Sequence, residues 1–233
     1  MESDFPILYI NLEKSHDRNE YMIHQFKKHN LKNYQRINAV ELKNLNTSHS
    51  IQILNKPEIV LRKEHALIYS HITALKFFLE QIQSEHCLIL EDDASFEFYQ
   101  QWNNSLTNII REWPKRYNII RVGTYISGNY IANQTYRKGK YFRWRNNWGA
   151  YAYIINKQGA EEILKSVYQN SILTLNPDKY YLVADSLLFR LTSTCNYHVP
   201  LFTTNIALDS QLRGSNKSHI NYHNRLKSLY QIF

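Results

Sequence analysis

The chain has 233 residues, with 28 Lys+Arg against 20 Asp+Glu and a net charge of +8. Its 43% hydrophobic and 21% charged residues, with only 6 Gly and 5 Pro, exclude a disordered or fibrous chain and suit one domain with a sizeable core. No apolar run approaches the ~18 residues of a membrane span, and the opening Met-Glu-Ser-Asp-Phe-Pro has neither the basic nor the apolar region of a signal peptide.

Residues 6–12, Pro-Ile-Leu-Tyr-Ile-Asn-Leu, read as a buried strand. Ser15 or Asp17 then caps a helix that carries Met22, Ile23 and Phe26 at helical spacing. A second strand is expected over 34–40, and 41–60 is polar and irregular, closed by Pro57. From Glu64 to Gln83, the positions Leu67, Ile68, Ile72, Leu75, Phe78, Leu79 and Ile82 follow the helical period and predict an amphipathic helix. Cys87-Leu88-Ile89-Leu90 is an all-apolar run suited to a central strand, and it ends in Glu91-Asp92-Asp93. Residues 98–113 are expected to be helical up to Pro114, and 118–123 to form a buried strand. A Gly-, Tyr- and Arg-bearing loop region follows over 124–145, then a strand over 150–155 and a helix over 157–168. A helix over 181–191 carries Asp185, 199–203 is a late strand, and the remaining tail is polar and basic with weak order. Strands alternating with helices predict an α/β domain with a mainly parallel central sheet flanked by helices.

The positive balance points to anionic partners: nucleic acid, an anionic membrane surface or phosphorylated small molecules. A solvated surface is the plain alternative. No nucleic-acid-binding module is recognisable, so specific nucleic-acid binding is not expected. The two cysteines, Cys87 and Cys195, make no disulfide framework and favour a reducing, intracellular setting.

The acidic triplet is the most informative feature. Ligands of open α/β sheets bind beyond the carboxyl ends of the strands. Three adjacent carboxylates there repel one another, so a divalent cation, bound bases or raised pKa values must compensate. Side-chain alternation sends Glu91 and Asp93 to one side and Asp92 to the other. Two of the three could therefore serve a Mg²⁺ or Mn²⁺ ion shared with a diphosphate. A solvated acidic turn or a helix N-cap is the competing explanation. Arg18 follows the first strand, where a guanidinium could clamp phosphate, although an exposed surface arginine is the plainer explanation of the residue by itself. His71, beside Ser70, fits a satisfied half-buried histidine on a core-facing helix, and Asp185 fits a helix N-cap. Tyr125, Tyr130, Trp144, Trp148 and Tyr151 surround the mid-chain loop, where aromatic faces suit sugar rings or ordinary packing.

Taken in order, these pieces resemble glycosyltransferase family 25, which includes lipooligosaccharide and collagen galactosyltransferases. Ile10-Asn11-Leu12-Glu13-Lys14-Ser15-His16-Asp17-Arg18 looks like that family's opening Asn-Leu…Arg motif, and Arg36-Ile37-Asn38-Ala39-Val40 like the strand after it. Glu64 and Ser70-His71 match a Glu and a Ser-His pair in its first long helix, and Leu90-Glu91-Asp92-Asp93-Ala94 its acidic signature. Gly149 to Ile155 with Gly159-Ala160, Asp185 with Leu187-Leu188, and Pro200-Leu201 follow in the family's order. Lys63 stands where the family usually has Gly before the helix Glu.

The resemblance implies a GT-A-like nucleotide-sugar-binding domain over 1–205 and a basic C-terminal extension over 206–233. It implies a divalent cation, Mn²⁺ or Mg²⁺, held by Asp93 with Glu91, and Asp92 supporting. Asn11 and Arg18 would hold the nucleotide or its phosphates, with Glu64 and Ser70 on the donor side. The donor would be a UDP-sugar, UDP-galactose first, and the acceptor a hydroxyl of a glycan such as lipooligosaccharide or lipopolysaccharide. With the metal acids accounted for, Asp185 is the candidate general base of an inverting transfer, and His71 the second candidate base or a donor-binding group. The location implied is cytoplasmic, with charge-driven contact at the anionic inner membrane surface. Rival readings are a metal-dependent phosphoryl transferase or hydrolase, and a non-catalytic basic module for polyanions or membranes.

Overall fold

The apolar runs at 7–10 and 87–90 become two adjacent central strands, and everything that positions the candidate site follows from their pairing. The computed structural model describes residues 4–45, 51–55, 60–123, 140–142, 149–205, 207 and 217–230. In chain order these form β1 (Ile7–Asn11), α1 (His16–Lys28), β2 (Tyr34–Asn38), β3 (Ile51–Ile53), α2 (Lys63–Gln81), β4 (His86–Glu91), β5 (Ala94–Ser95), α3 (Leu106–Arg111) and β6 (Ile119–Arg121). There follow β7 (Tyr141–Phe142), β8 (Ala152–Asn156), α4 (Lys157–Val167), β9 (Tyr168–Gln169), β10 (Ile172–Leu175), α5 (Ala184–Leu191), β11 (Thr194–Tyr197), β12 (Thr203–Thr204) and α6 (Lys217–Tyr230).

The main sheet has the order β2-β1-β4-β8-β6-β11-β7. β1 pairs parallel with β2 and β4, and β6 parallel with β11, while β8 runs antiparallel to both β4 and β6 and β7 antiparallel to β11. Five strands therefore point one way, as expected for a mainly parallel α/β sheet. The carboxyl ends of β1, β4 and β6 share one edge with the amino end of β8.

Both faces of the sheet are covered. On one side Ile7, Tyr9, Leu88, Leu90 and Ile154 pack against Met22 and Phe26 of α1, Leu106 and Ile109 of α3 and Leu226 of α6. On the other, Leu8, Ile10, Cys87, Ile89, Tyr153 and Ile155 meet Ile68, Ile72, Leu75 and Phe78 of α2, Ile163 of α4 and Leu187 of α5. Burial on both faces is why 87–90 is apolar at every position. Fully burying one such side chain stabilises the fold by about 1.5–3 kcal/mol, and truncating Phe26 or Phe78 to Ala would cost about 3–5 kcal/mol.

Several expectations are corrected. The helix expected over 98–113 is interrupted: a short 3₁₀ turn at Tyr99–Gln101 precedes α3. Trp102 leaves the helical path because its indole N–H donates to the Leu201 carbonyl at 2.8 Å, and Ser105 restarts the helix by accepting from Asn108 N–H at 3.1 Å. The polar stretch 41–60 contains β3, which pairs with β10 of a separate sheet ordered β3-β10-β9. The late strand expected at 199–203 is replaced by β11 and by β12, which pairs antiparallel with β5. The tail is not weakly ordered throughout, since α6 buries Leu226 and His223, and the Tyr230 hydroxyl donates to the Pro200 carbonyl at 2.8 Å. Most of the 124–145 loop region, including Tyr125 and Tyr130, lies outside the described residues, as do Trp144 and Trp148.

Candidate active site

The acidic triplet leaves β4 at the shared sheet edge, and strand alternation divides it between two environments. Glu91 turns to the α2 face and Asp92 to the α1 face. The register pairs Ile10 with Glu91, which brings Asn11, the last residue of β1, alongside Asp92. Asn11 donates from Nδ2 to Asp92 Oδ2 at 2.9 Å and to the Ser15 carbonyl at 3.2 Å. Arg18, in the first turn of α1, donates from Nη1 to Asp92 Oδ1 at 2.6 Å. Both Asn11 and Arg18 are buried. Asp92 is thus neutralised and hydrogen-bonded from within the fold, and its two partners are the residues expected at the donor phosphates.

On the α2 face, His71 is fully buried, with Nδ1 3.1 Å from the Tyr153 hydroxyl and Nε2 3.4 Å from Glu91 Oε1. Burial pushes the imidazole down to about 4 and raises Tyr153 well above its ordinary value. The neutral ring therefore links the Tyr153 hydroxyl at Nδ1 to Glu91 at Nε2 as a hydrogen-bond chain rather than an ion pair. Burial pushes Glu91 up to about 8, with Asp185 and then Asp92 adding and Arg18 opposing. Asp185 lies in the first turn of α5, and its Oδ1 accepts from the Gly149 N–H at the entrance to β8. Gly149 has φ 119°, a conformation that favours glycine. The structure thus gathers Glu91, His71 and Asp185, residues far apart in the chain.

Asp93 sits in the turn between β4 and β5. Its backbone carbonyl accepts from Asn205 N–H at 2.7 Å. Burial pushes its carboxyl up to about 8, with Glu91 and Asp92 adding. Asp93 Oδ1 is buried with no hydrogen-bond partner among the described residues, and so is Asn11 Oδ1. Tyr21 of α1 reaches the same turn, hydrogen-bonding with Ser95 and Asn205; burial pushes its phenol up to about 12.

Two further expected residues have other settings. The Ser70 hydroxyl accepts from Val40 N–H and donates to the Ala66 carbonyl, each at 2.8 Å, so both its bonds go to backbone. Glu64 is half-buried in the first turn of α2, where the helix dipole favours a carboxylate. A groove of 480 Å³ opens between α2 and α4, lined by Lys76, Leu164 and Tyr168 among others, and includes none of the site residues.

Among the described residues, no group of three or more His, Cys, Asp or Glu side chains could hold a metal ion by itself. Glu91 and Asp93 fit the other pattern, in which one or two carboxylates share Mg²⁺ or Mn²⁺ with substrate phosphates. The partnerless Asp93 oxygen is an acceptor suited to such an ion. Sequence reasoning did not find Tyr21, Gln25 or Asn205, and it placed Tyr153 only within the Gly149–Ile155 segment, without a role. Each acts through a partner distant in sequence and carries no motif of its own.

Residues 5–180 match the family described as glycosyltransferase family 25 (LPS biosynthesis protein). The chain belongs to glycosyltransferase family 25. Membership of family 25 makes it a glycosyltransferase, which takes a nucleotide-sugar donor and a glycan acceptor. The family 25 match covers Asn11, Arg18, His71 and the acidic triplet, and ends before Asp185 and Asn205. No curated protein matches the chain. Among solved structures it is similar to A197 from STIV, at 12% identity over 85% of this chain and 83% of that chain, with a TM-score of 0.43. It is also similar to a glycosyltransferase involved in the glycosylation of the major capsid of PBCV-1, at 11% identity over 74% and 82%, with a TM-score of 0.38. Both likenesses are loose. Among the described residues no helix is long and apolar enough to cross a membrane.

Proposed function

We propose that this family 25 chain transfers galactose from UDP-galactose to a hydroxyl of a lipopolysaccharide-type glycan, with inversion and with a divalent cation at Glu91 and Asp93. One observation carries the reading. Asp92 is neutralised by Arg18 and Asn11, while Asp93 keeps a buried oxygen with no partner beside Glu91. Two packed carboxylates whose nearest cation, Arg18, is bound to Asp92 are the arrangement that a cation-bound diphosphate relieves.

When bound, the cation would neutralise charge developing on the leaving diphosphate. The chain's own residues do the rest. Arg18 and Asn11 hold Asp92 on the α1 side and keep it out of competition. The Tyr153–His71 chain orients Glu91 from beneath. Asp185, fixed by the Gly149 N–H at the same sheet edge, takes the proton from the acceptor hydroxyl as it attacks the anomeric carbon from the face opposite the diphosphate. His71 is less suited to that task, because it is fully buried and both ring nitrogens are engaged. The charge excess, including exposed Arg225 and Lys227 on α6, suits contact with an anionic membrane surface at the cytoplasmic side.

The test is a thermal-shift screen of nucleotide sugars with and without Mn²⁺. UDP-galactose should raise the melting temperature only with the cation. A response to every phosphate ester alike, with phosphoester hydrolysis and no sugar transfer, would overturn the assignment.

A further inference from the structure

Helix α1 carries a third group that faces the acidic turn. Gln25 is buried, and its side-chain amide meets β5 as a neighbouring strand would. Its Nε2 donates to the Ala94 carbonyl at 3.0 Å, and its Oε1 accepts from Phe96 N–H at 2.8 Å. The opposite edge of β5 is taken by β12, with Thr204 aligned to Ala94 and Thr203 to Ser95, and Asn205 N–H closes on the Asp93 carbonyl. The backbone from Asp93 to Phe96 is therefore gripped from both sides. Arg18, Tyr21 and Gln25 occupy successive turns of one face of α1, and they reach Asp92, Ser95 and β5 in that order.

Grip matters here because of charge. Glu91 and Asp93 repel when both are ionised, as cation binding requires, and a turn free to open would relax by carrying Asp93 away. A pinned backbone keeps the carboxylates together before any ion arrives, so less ordering remains to be done on binding. Losing an outer group that orients a metal ligand typically costs about 10–100-fold in metal affinity.

We propose that Gln25 is a positioning residue for the cation site: with β12 it forms a two-jawed clamp that sets Asp93 against Glu91, and Tyr21 is its auxiliary. The inference rests on the reading that Asp93 takes a divalent cation.

The experiment follows free Mn²⁺ by electron paramagnetic resonance while the full chain is titrated, with and without uridine diphosphate. Gln25→Glu keeps the acceptor for Phe96 N–H but sets a carboxylate oxygen against the Ala94 carbonyl. It should weaken Mn²⁺ binding by about tenfold or more, the scale seen when an orienting partner is lost. Tyr21→Phe keeps the ring packing, removes the hydroxyl, and should weaken binding by a smaller factor; it carries the test if Gln25→Glu does not fold. Exposed Gln35→Glu should change nothing. Unchanged Mn²⁺ affinity in folded Gln25→Glu and Tyr21→Phe, even with lower melting temperatures, would show a merely structural role and overturn the proposal. A wild-type chain that binds no Mn²⁺ under either condition would overturn the cation reading itself, a result visible before any variant is compared.

Discussion

Arg18 and Asp92 meet at 2.6 Å with only 11% of each side chain exposed. A pair this shielded is weak as a source of net stability but costly to break from one side. We predict that Arg18→Met destabilises the fold by about 3–5 kcal/mol, because it leaves Asp92 buried and unpaired. Adding Asp92→Asn should recover much of that loss. Urea denaturation of the two single variants and the double variant supplies the cycle; simple additivity would mean that the two side chains are not coupled.

Asp93→Ala should abolish the cation-dependent part of donor binding. A ligand at one hundred times its Kd stabilises the folded state by about 2.7 kcal/mol, so the lost melting shift will be plain. A variant that still answers to Mn²⁺ in the presence of UDP-galactose would remove Asp93 from the cation site.

Asp185→Asn should lower kcat by about 10²–10⁴-fold, the usual contribution of a positioned base, and leave UDP binding intact. The amide cannot take a proton but can still accept from Gly149 N–H, so the entrance to β8 should hold its shape. Turnover near the wild-type level would exclude Asp185 as the base.

The amino ends of the strands give a prediction about pH. The Thr192 hydroxyl donates to Glu162 Oε2 at 2.5 Å, Asn118 Nδ2 donates to the same oxygen at 3.0 Å, and Gln158 Nε2 donates to Oε1 at 3.0 Å. The Thr192 bond, ahead of the Gln158 and Asn118 bonds and over the opposing effect of burial, holds this carboxyl below its ordinary value. A depressed carboxyl adds stability above its unfolded pKa of about 4.3, and the gain is lost as pH falls through the folded value. Glu162→Gln should therefore be less stable than wild type at pH 7 and approach it as pH drops below about 4. Urea midpoints across that range decide it; a constant difference would point to packing instead of charge.

The sheet and the acidic motif were legible because they rest on local pattern. The apolar run at 87–90 announces a strand buried on both faces, and the 3.6-residue period of α2 is long enough to count. Alternation also separated Asp92 from Glu91 correctly. Short elements paired across long distances left no such trace: β3 has three residues, and its partner β10 lies more than a hundred positions later. β11, Thr-Cys-Asn-Tyr, is too polar to read as an interior strand without its neighbours. In α6, His223, Leu226 and Tyr230 do recur at helical spacing, but within a polar tail that masks the pattern. Arg18 stood out in sequence only by its place after the first strand, and its tie to Asp92 arises only when α1 folds back over β4. Gln25 had no local signal, because its role exists only in contact with β5.

The clamp on the acidic turn also has an order in time. One jaw, Gln25, lies early in the chain, the turn itself lies near residue 93, and the other jaw, Thr203 to Asn205, comes late. Chains fold in part as they emerge from the amino end. A nascent chain can therefore present all three carboxylates well before the second jaw exists to set them. On the proposed reading, the cation site would be complete only once Thr203 to Asn205 have been made, so a chain cut short before them would hold Mn²⁺ less tightly.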